Sequence, residues 1–206
     1  MSYWTIQPMW TGRTVVVLAS GPSMSQAVAD RVRHLPRIAI NSTYKLAPDA
    51  DVIYASDSMW WQQNPDALRS TGIKACVEAV PNIAPNVPEI VRVLRNTGRD
   101  GLDQHPGCVR TLNNSGGVGI QIAMHARAAR VLLLGFDMRG GHWHPQHERP
   151  LGNPGPQLLA RWIQHMERFA RALPSTVEVL NCTPGSAMRG FPMVSLDDAL
   201  NALVAA

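Results

Sequence analysis

Three histidines crowd one short stretch of the chain, His142, His144 and His147, within the run VLLLGFDMRGGHWHPQH at positions 131–147. Imidazole loses its proton near neutrality. A histidine within hydrogen-bond reach of a hydroxyl therefore serves as a general base, worth ~100- to 10,000-fold in rate. Asp137, five positions before His142, is placed to orient one of these rings. The H-x-H-x-x-H spacing also puts two imidazoles on one side of an extended loop, as a transition-metal site requires. A polar loop whose histidines only cap turns and meet solvent is the plainer alternative. His142, His144, His147 and Asp137 are taken as candidate catalytic residues and no metal ligand is assigned; His34, His105, His125 and His165 read as structural or surface residues.

The elements that must position this loop follow from the pattern around it. Val131, Leu132, Leu133 and Leu134 show no polar alternation, the signature of a strand buried on both faces. Gly135 ends it, so the acidic residue and the histidines lie just past the carboxyl end of a central strand, where open α/β sheets bind ligands. Other strand ends repeat the theme. TVVVL at 14–18 is a buried strand that runs into Ser20, Gly21, Pro22 and Ser23, and Ser23 or Ser25 can cap a helix reaching about position 33. RIAI at 37–40 ends at Asn41 and Ser42, and a strand at 52–55 leads to Asp57. A small-residue turn opening onto a helix presents backbone N–H groups and the positive end of the helix dipole, which suits phosphate.

The middle of the chain is less patterned. A short helix is expected at 66–71, a strand at 74–78, a proline-rich link with Pro81, Pro85 and Pro88, and a surface loop at 96–110 long enough to act as a lid. Of the adjacent pair Trp60 and Trp61, one is expected in the core and the other is free to line a cleft. A second small-residue turn, TLNNSGGVG at 111–119, carries Asn114, Ser115 and Gly116 into a helix expected over 120–130. After the His-rich loop (138–157) come a helix at 157–173, a strand at 176–181, the stretch CTPGSAM with Thr183 and Ser186, and a closing helix at 196–204. This order predicts an α/β, doubly wound, mainly parallel sheet with helices on both faces, one domain over 1–206 with an irregular arm at 1–12 packed on the sheet.

Composition bounds the function. With 206 residues, 45% of them hydrophobic and 17% charged, the chain suits one substantial globular domain rather than a disordered or fibrous protein. Its formal charge of +4 mildly favours an anionic ligand such as a nucleotide or nucleic acid. Cys76, Cys108 and Cys182 are odd in number and far apart, which argues for a reducing compartment and against a disulfide framework. No apolar run approaches the ~20 residues of a membrane span and the N-terminus has no signal-peptide pattern, so a cytoplasmic protein is expected, with homo-oligomerisation left open.

The runs LASGPSM, INSTY, NNSGGVGIQIA, LLLGFDM and NCTPGSAM together resemble the Rossmann-like transferases related to the family 42 sialyltransferases. They are also similar to the MptE-like proteins, which include pterin pyrophosphokinases and glycosyltransferase-like motility accessory factors. The matching positions are Gly21, Pro22 and Ser23; Asn41; Ser115 and Gly116; Gly135 and Asp137; and Pro184 with Ser186. The chain departs from the sialyltransferases in its shorter loop after Met138 and in lacking a tyrosine pair to meet phosphate. The resemblance implies a nucleotide-dependent, glycosyltransferase-like enzyme. It would use a nucleotide-activated, CMP-linked sugar, a loop histidine as base, and a small-molecule, glycan or nucleic-acid acceptor. Ser20, Gly21, Pro22, Ser23, Asn41, Ser42, Asp57, Asn114, Ser115, Gly116, Gly135, Thr183 and Ser186 would hold the nucleotide. A pyrophosphokinase transferring diphosphate from ATP is the second reading, with Mg²⁺ on Asp57 and Asp137. The third is a non-catalytic nucleotide or nucleic-acid binding module on the same fold.

Overall fold

A computed structural model describes residues 2–80, 82–148 and 151–204, so Pro81 and the Arg149 and Pro150 of the His-rich loop lie outside it, as do Met1, Ala205 and Ala206. Eight parallel strands form one sheet: β1 (Thr14–Leu18), β2 (Arg37–Ile40), β3 (Val52–Tyr54), β4 (Ile73–Val77), β5 (Arg92–Asn96), β6 (Cys108–Val109), β7 (Arg130–Leu134) and β8 (Glu178–Asn181). Their spatial order is β6-β5-β4-β3-β2-β1-β7-β8. The chain thus winds outward from β1 to one edge, crosses back, and continues from β7 on the other side of β1. Strand order reverses between β1 and β7, and the loops leaving their carboxyl ends part there to open a crevice.

Helices cover both faces, as the doubly wound, Rossmann-like reading requires. Val15, Val17, Ile40 and Leu133 face a core shared with α3 (Ser115–His125) and α4 (Pro156–Ala172). Val16, Leu18, Ile53 and Leu134 face the opposite core, shared with α1 (Gln26–Arg31), α2 (Ser58–Gln63) and α5 (Leu196–Val204). Consecutive residues of one strand enter different cores, which is why β1 and β7 need aliphatic residues without alternation. Helix α3 lies close on the sheet because glycine lets it: a Cβ on Gly119 would sit 2.9 Å from both Ile40 Cδ1 and Val17 Cγ1.

Several sequence expectations shift. Helix α3 begins five residues before the expected 120 and ends at His125, leaving Arg130 to open β7. Its glycines carry no apolar pattern, so the sequence conceals the first turn. The expected helix at 66–71 is a 3-10 turn, Pro65–Arg69. The expected 96–110 loop starts at the end of β5 and contains β6, two outer strands whose residues are mostly exposed or half-buried. Trp60 and Trp61 are both buried, packed edge to face at 5.0 Å, with the Trp61 ring N–H donating to the Ala55 carbonyl, so neither lines a cleft. The N-terminal arm is packed as expected: Trp4, Ile6 and Trp10 are buried, and their amides donate to Val93, Pro106 and Ala126. No helix among the described residues is long and apolar enough to cross a membrane.

Candidate functional site

A cleft of about 1240 Å³ opens over the carboxyl ends of the strands. At its floor the turns after β1 and β7 are locked together. The Asp137 carboxylate, nearly buried, accepts from the Ser23 hydroxyl at 2.8 Å and from the Ser23 amide at 3.2 Å. Gly21 N–H donates to the Gly135 carbonyl at 2.9 Å. The two turns approach so closely that a Cβ on Gly21 would lie 2.0 Å from Asp137 Oδ2 and 2.4 Å from the Gly135 carbonyl oxygen. Gly135 itself has φ +74°.

This clamp corrects two expectations. The amides of Gly21, Ser23 and Met24 are all engaged within the protein, and Pro22 has none, so the β1 turn has few donors to offer a phosphate. Asp137, in turn, holds Ser23 and orients no imidazole. Ser20 and Gly21 still line the cleft, Ser20 with its hydroxyl 3.2 Å from the Ile40 carbonyl and 3.0 Å from Thr43 Oγ1. Ser42 is buried and lies off the lining. Thr183 and Ser186 are fully buried beneath the floor: Thr183 Oγ1 accepts from the Phe136 amide at 2.9 Å and Ser186 Oγ donates to the Phe136 carbonyl at 2.6 Å. Their task is to fix the β7 turn.

The second small-residue turn is the better placed of the two. Asn114 caps α3 by accepting from the Gly117 amide at 3.1 Å, and Asn113, Asn114, Ser115 and Gly116 line the cleft. The amides of Ser115 and Gly116 precede the capped one, so helix geometry leaves them without intrahelical acceptors. Ser115 Oγ donates to Ser56 Oγ at 3.0 Å, which lies 2.9 Å from the Tyr54 hydroxyl, joining the α3 and β3 ends. Asn41 and Asn113 hold left-handed backbones, φ +49° each, at the cleft wall. Such sparsely populated conformations cluster where a loop is shaped around a ligand. Asp57 lines the cleft while capping α2 through the Met59 amide at 2.8 Å.

Sequence reasoning missed Arg99 and Arg161, which both line the cleft, are exposed, and form no salt bridge among the described residues. Arginine is common enough that neither stood out without the fold. It also missed Glu78, a fully buried carboxylate on the lining that accepts from the Tyr3 hydroxyl and from the amides of Asn82 and Asn96.

Of the three candidate histidines, only His142 lines the cleft. Its Nδ1 lies 3.2 Å from the Ser20 carbonyl, an acceptor, so Nδ1 is the donor there, and its Nε2 is buried without a hydrogen-bond partner. His144 Nδ1 is 2.6 Å from the Pro145 carbonyl. His147 is held through its backbone by the Asn153 side chain, with both bonds at 2.9 Å. The rings pack together, with centroids 4.8 Å apart for His142 and His144, 4.8 Å for His144 and His147, and 5.3 Å for His142 and His147. Burial pushes the pKa of His144 down to about 4, and burial likewise lowers that of His147. No three His, Cys, Asp or Glu side chains among the described residues are arranged to hold a metal ion, so the metal reading of the spacing gains no support.

The fold is a parallel α/β sheet with a cleft at its switch point, lined by both polar and apolar side chains. No protein-family model matches the chain, and neither a curated protein nor a solved structure does.

Proposed function

We propose that the protein is a nucleotide-dependent transferase of the glycosyltransferase-like kind, taking a nucleotide-activated sugar, in the first instance a CMP-linked one. The observation that supports this reading most is the meeting, in one cleft at the switch point, of the α3 N-terminus with two exposed arginines that form no salt bridge among the described residues. The nucleotide phosphate sits against the Ser115 and Gly116 amides, in reach of Arg99 and Arg161. The hydroxyl and amide groups of Ser20, Asn41 and Ser56 meet the sugar and base. Positive charge and helix-dipole donors together favour phosphate on this side over the β1 turn.

In the transfer the acceptor oxygen bonds to the anomeric carbon and the bond from that carbon to the phosphate oxygen breaks; the His142 ring at the cleft wall is the general base, taking the acceptor proton at Nε2 once the loop that buries this nitrogen lifts. Diphosphate transfer from ATP draws less support, because Asp137 commits both oxygens to Ser23, and Glu78, the other carboxylate beside Asp57 on the lining, commits both of its own to Tyr3, Asn82 and Asn96.

A thermal-shift screen of CMP, CDP, UDP, GDP and ATP, each with and without Mg²⁺, tests the reading. Metal-independent stabilisation by a cytidine nucleotide is expected, and Arg99→Ala and Arg161→Ala should each weaken it about tenfold in affinity, the loss of one charged hydrogen bond. Stabilisation by ATP only with Mg²⁺ would transfer the assignment to diphosphate transfer. No shift with any nucleotide would overturn both.

A further inference from the structure

The segment from Met138 to Glu148 leaves the β7 turn and lies across the β1 turn as a strap. Two donors pin it to a single acceptor: His142 Nδ1 and the Trp143 amide both stand 3.2 Å from the Ser20 carbonyl. The Trp143 ring N–H adds a third tie, 3.3 Å to Thr43 Oγ1. Thr43 is fully buried and also donates to the Ala19 carbonyl, so the anchor belongs to the rigid sheet end. Upstream of the pins, Met138, Gly140 and Gly141 have φ of +52°, +84° and +77°. A Cβ on Gly141 would meet nothing within 4 Å, which leaves room for the chain to turn there. Gly140, Gly141 and His142 form part of the cleft wall, so movement of the strap changes access to the cleft.

The imidazole cluster gives the strap a trigger. The rings of His142 and His144 are parallel to within 3°, and Nε2 of each is buried without a hydrogen-bond partner. A proton added to His144 Nε2 finds no acceptor and cannot be reached by water, so it carries a desolvation penalty. A second charge on a neighbouring ring about 5 Å away adds repulsion. Lys45, from the turn after β2, adds a further positive charge facing His144 and His147. The carboxylates at the two ends of the strap do not balance these charges, since Asp137, just before it, is committed to Ser23 and Glu148, its last residue, is exposed.

We propose that the strap is a proton-operated cover on the cleft, held on Ser20 while the His144 and His147 rings packed behind His142 are neutral and released when they take up protons. The closed form binds fewer protons than the open form, so closure weakens as pH falls below the ordinary histidine value of 6.5. The inference is independent of which ligand fills the cleft.

Hydrogen exchange read by mass spectrometry on the full chain tests it, with rates corrected for the intrinsic pH dependence of amide exchange. Between about pH 7 and about pH 5 the peptide carrying Trp143 should lose protection by tenfold or more, the equivalent of one unit of pKa difference between closed and open forms. Peptides from α3 should keep theirs, which shows that the fold is intact. In His144→Gln/His147→Gln the pH dependence at Trp143 should disappear, and His147→Gln alone should reduce it if the double variant is poorly folded. Unchanged Trp143 protection in the wild type, or the same pH dependence in a folded variant, would overturn the proposal. No nucleotide enters the experiment, so its failure is separate from failure of the transferase reading.

Discussion

Gly21, Pro22, Ser23 and Asp137 look like ligand-binding residues by type, and the structure turns most of that chemistry inward. Ser23 and Asp137 are 114 positions apart, and nothing in the local sequence of either shows that each is the other's partner. Their residue types were legible; their pairing needed the β1–β7 register that brings Leu18 beside Leu134. The clamp predicts a sharp ranking. Gly21→Ala must separate two turns already in contact, and an overpacking cost of ~1–3 kcal/mol is expected. Ser23→Ala removes a hydrogen bond to a nearly buried carboxylate without adding volume, at about 1.5–3 kcal/mol. Pro22→Ala, with no donor lost and no contact forced, should cost less than either. Urea denaturation of the three variants checks the order, and a Gly21→Ala protein as stable as the wild type would show that the turns are not locked.

At the scale of elements, the strands in the sheet interior could be read directly, because β1, β2 and β7 are buried on both faces and have little choice of residue. Strands β5 and β6 could not. RVLRN presents one fully buried side chain, Leu94, among exposed or half-exposed ones, and CV is too short to carry a pattern. What holds that side of the sheet is a side chain rather than a hydrophobic run: Glu78, at the end of β4, accepts from the Asn96 amide at 2.9 Å, the Asn82 amide at 2.8 Å and the Tyr3 hydroxyl at 2.6 Å. Glu78→Ala removes the shared acceptor of two backbone amides and a phenol; the exposed Asn82 amide and the Tyr3 hydroxyl can turn to water, so the expected cost is that of the half-buried Asn96 amide left unsatisfied, about 1–3 kcal/mol. Glu78→Gln keeps the shape and one acceptor oxygen and should recover part of the loss. Exchange rates of the β5 amides, compared with those of β1, would show whether the damage is confined to this edge. Uniform loss across the sheet would mean that the β4–β5 pairing is not a separate unit.

For the whole molecule, the same burial that shapes the cores sets the pH range in which the fold is most stable. Burial lowers the pKa of His125, His144 and His147. Each is kept neutral in the native state, whereas the unfolded chain binds a proton below about 6.5. Stability carried by these rings is complete above that value and is lost as pH falls, down to about 4 for His144. Asp100, lowered by its hydrogen bond to His165, contributes above the ordinary carboxylate value and is lost only at more acid pH. On the alkaline side burial pushes Cys76 up to about 12 and Cys182 up to about 11 from an ordinary 9.0. The unfolded chain releases those protons first, so native stability declines once pH rises past 9.0. The expected curve of Tm against pH is a plateau from about 6.5 to about 9 with shoulders on both sides. His144→Gln/His147→Gln should shallow the acid shoulder without abolishing it, because His125, packed under β6 with its Nε2 3.1 Å from the Cys108 carbonyl, still titrates. His125→Gln added to that variant should remove most of the remainder above the carboxylate range. A Tm that holds level from neutrality to about pH 5 would mean that these rings are as easily charged in the folded protein as in the unfolded chain, and it would count against the packed imidazole cluster as directly as against the plateau.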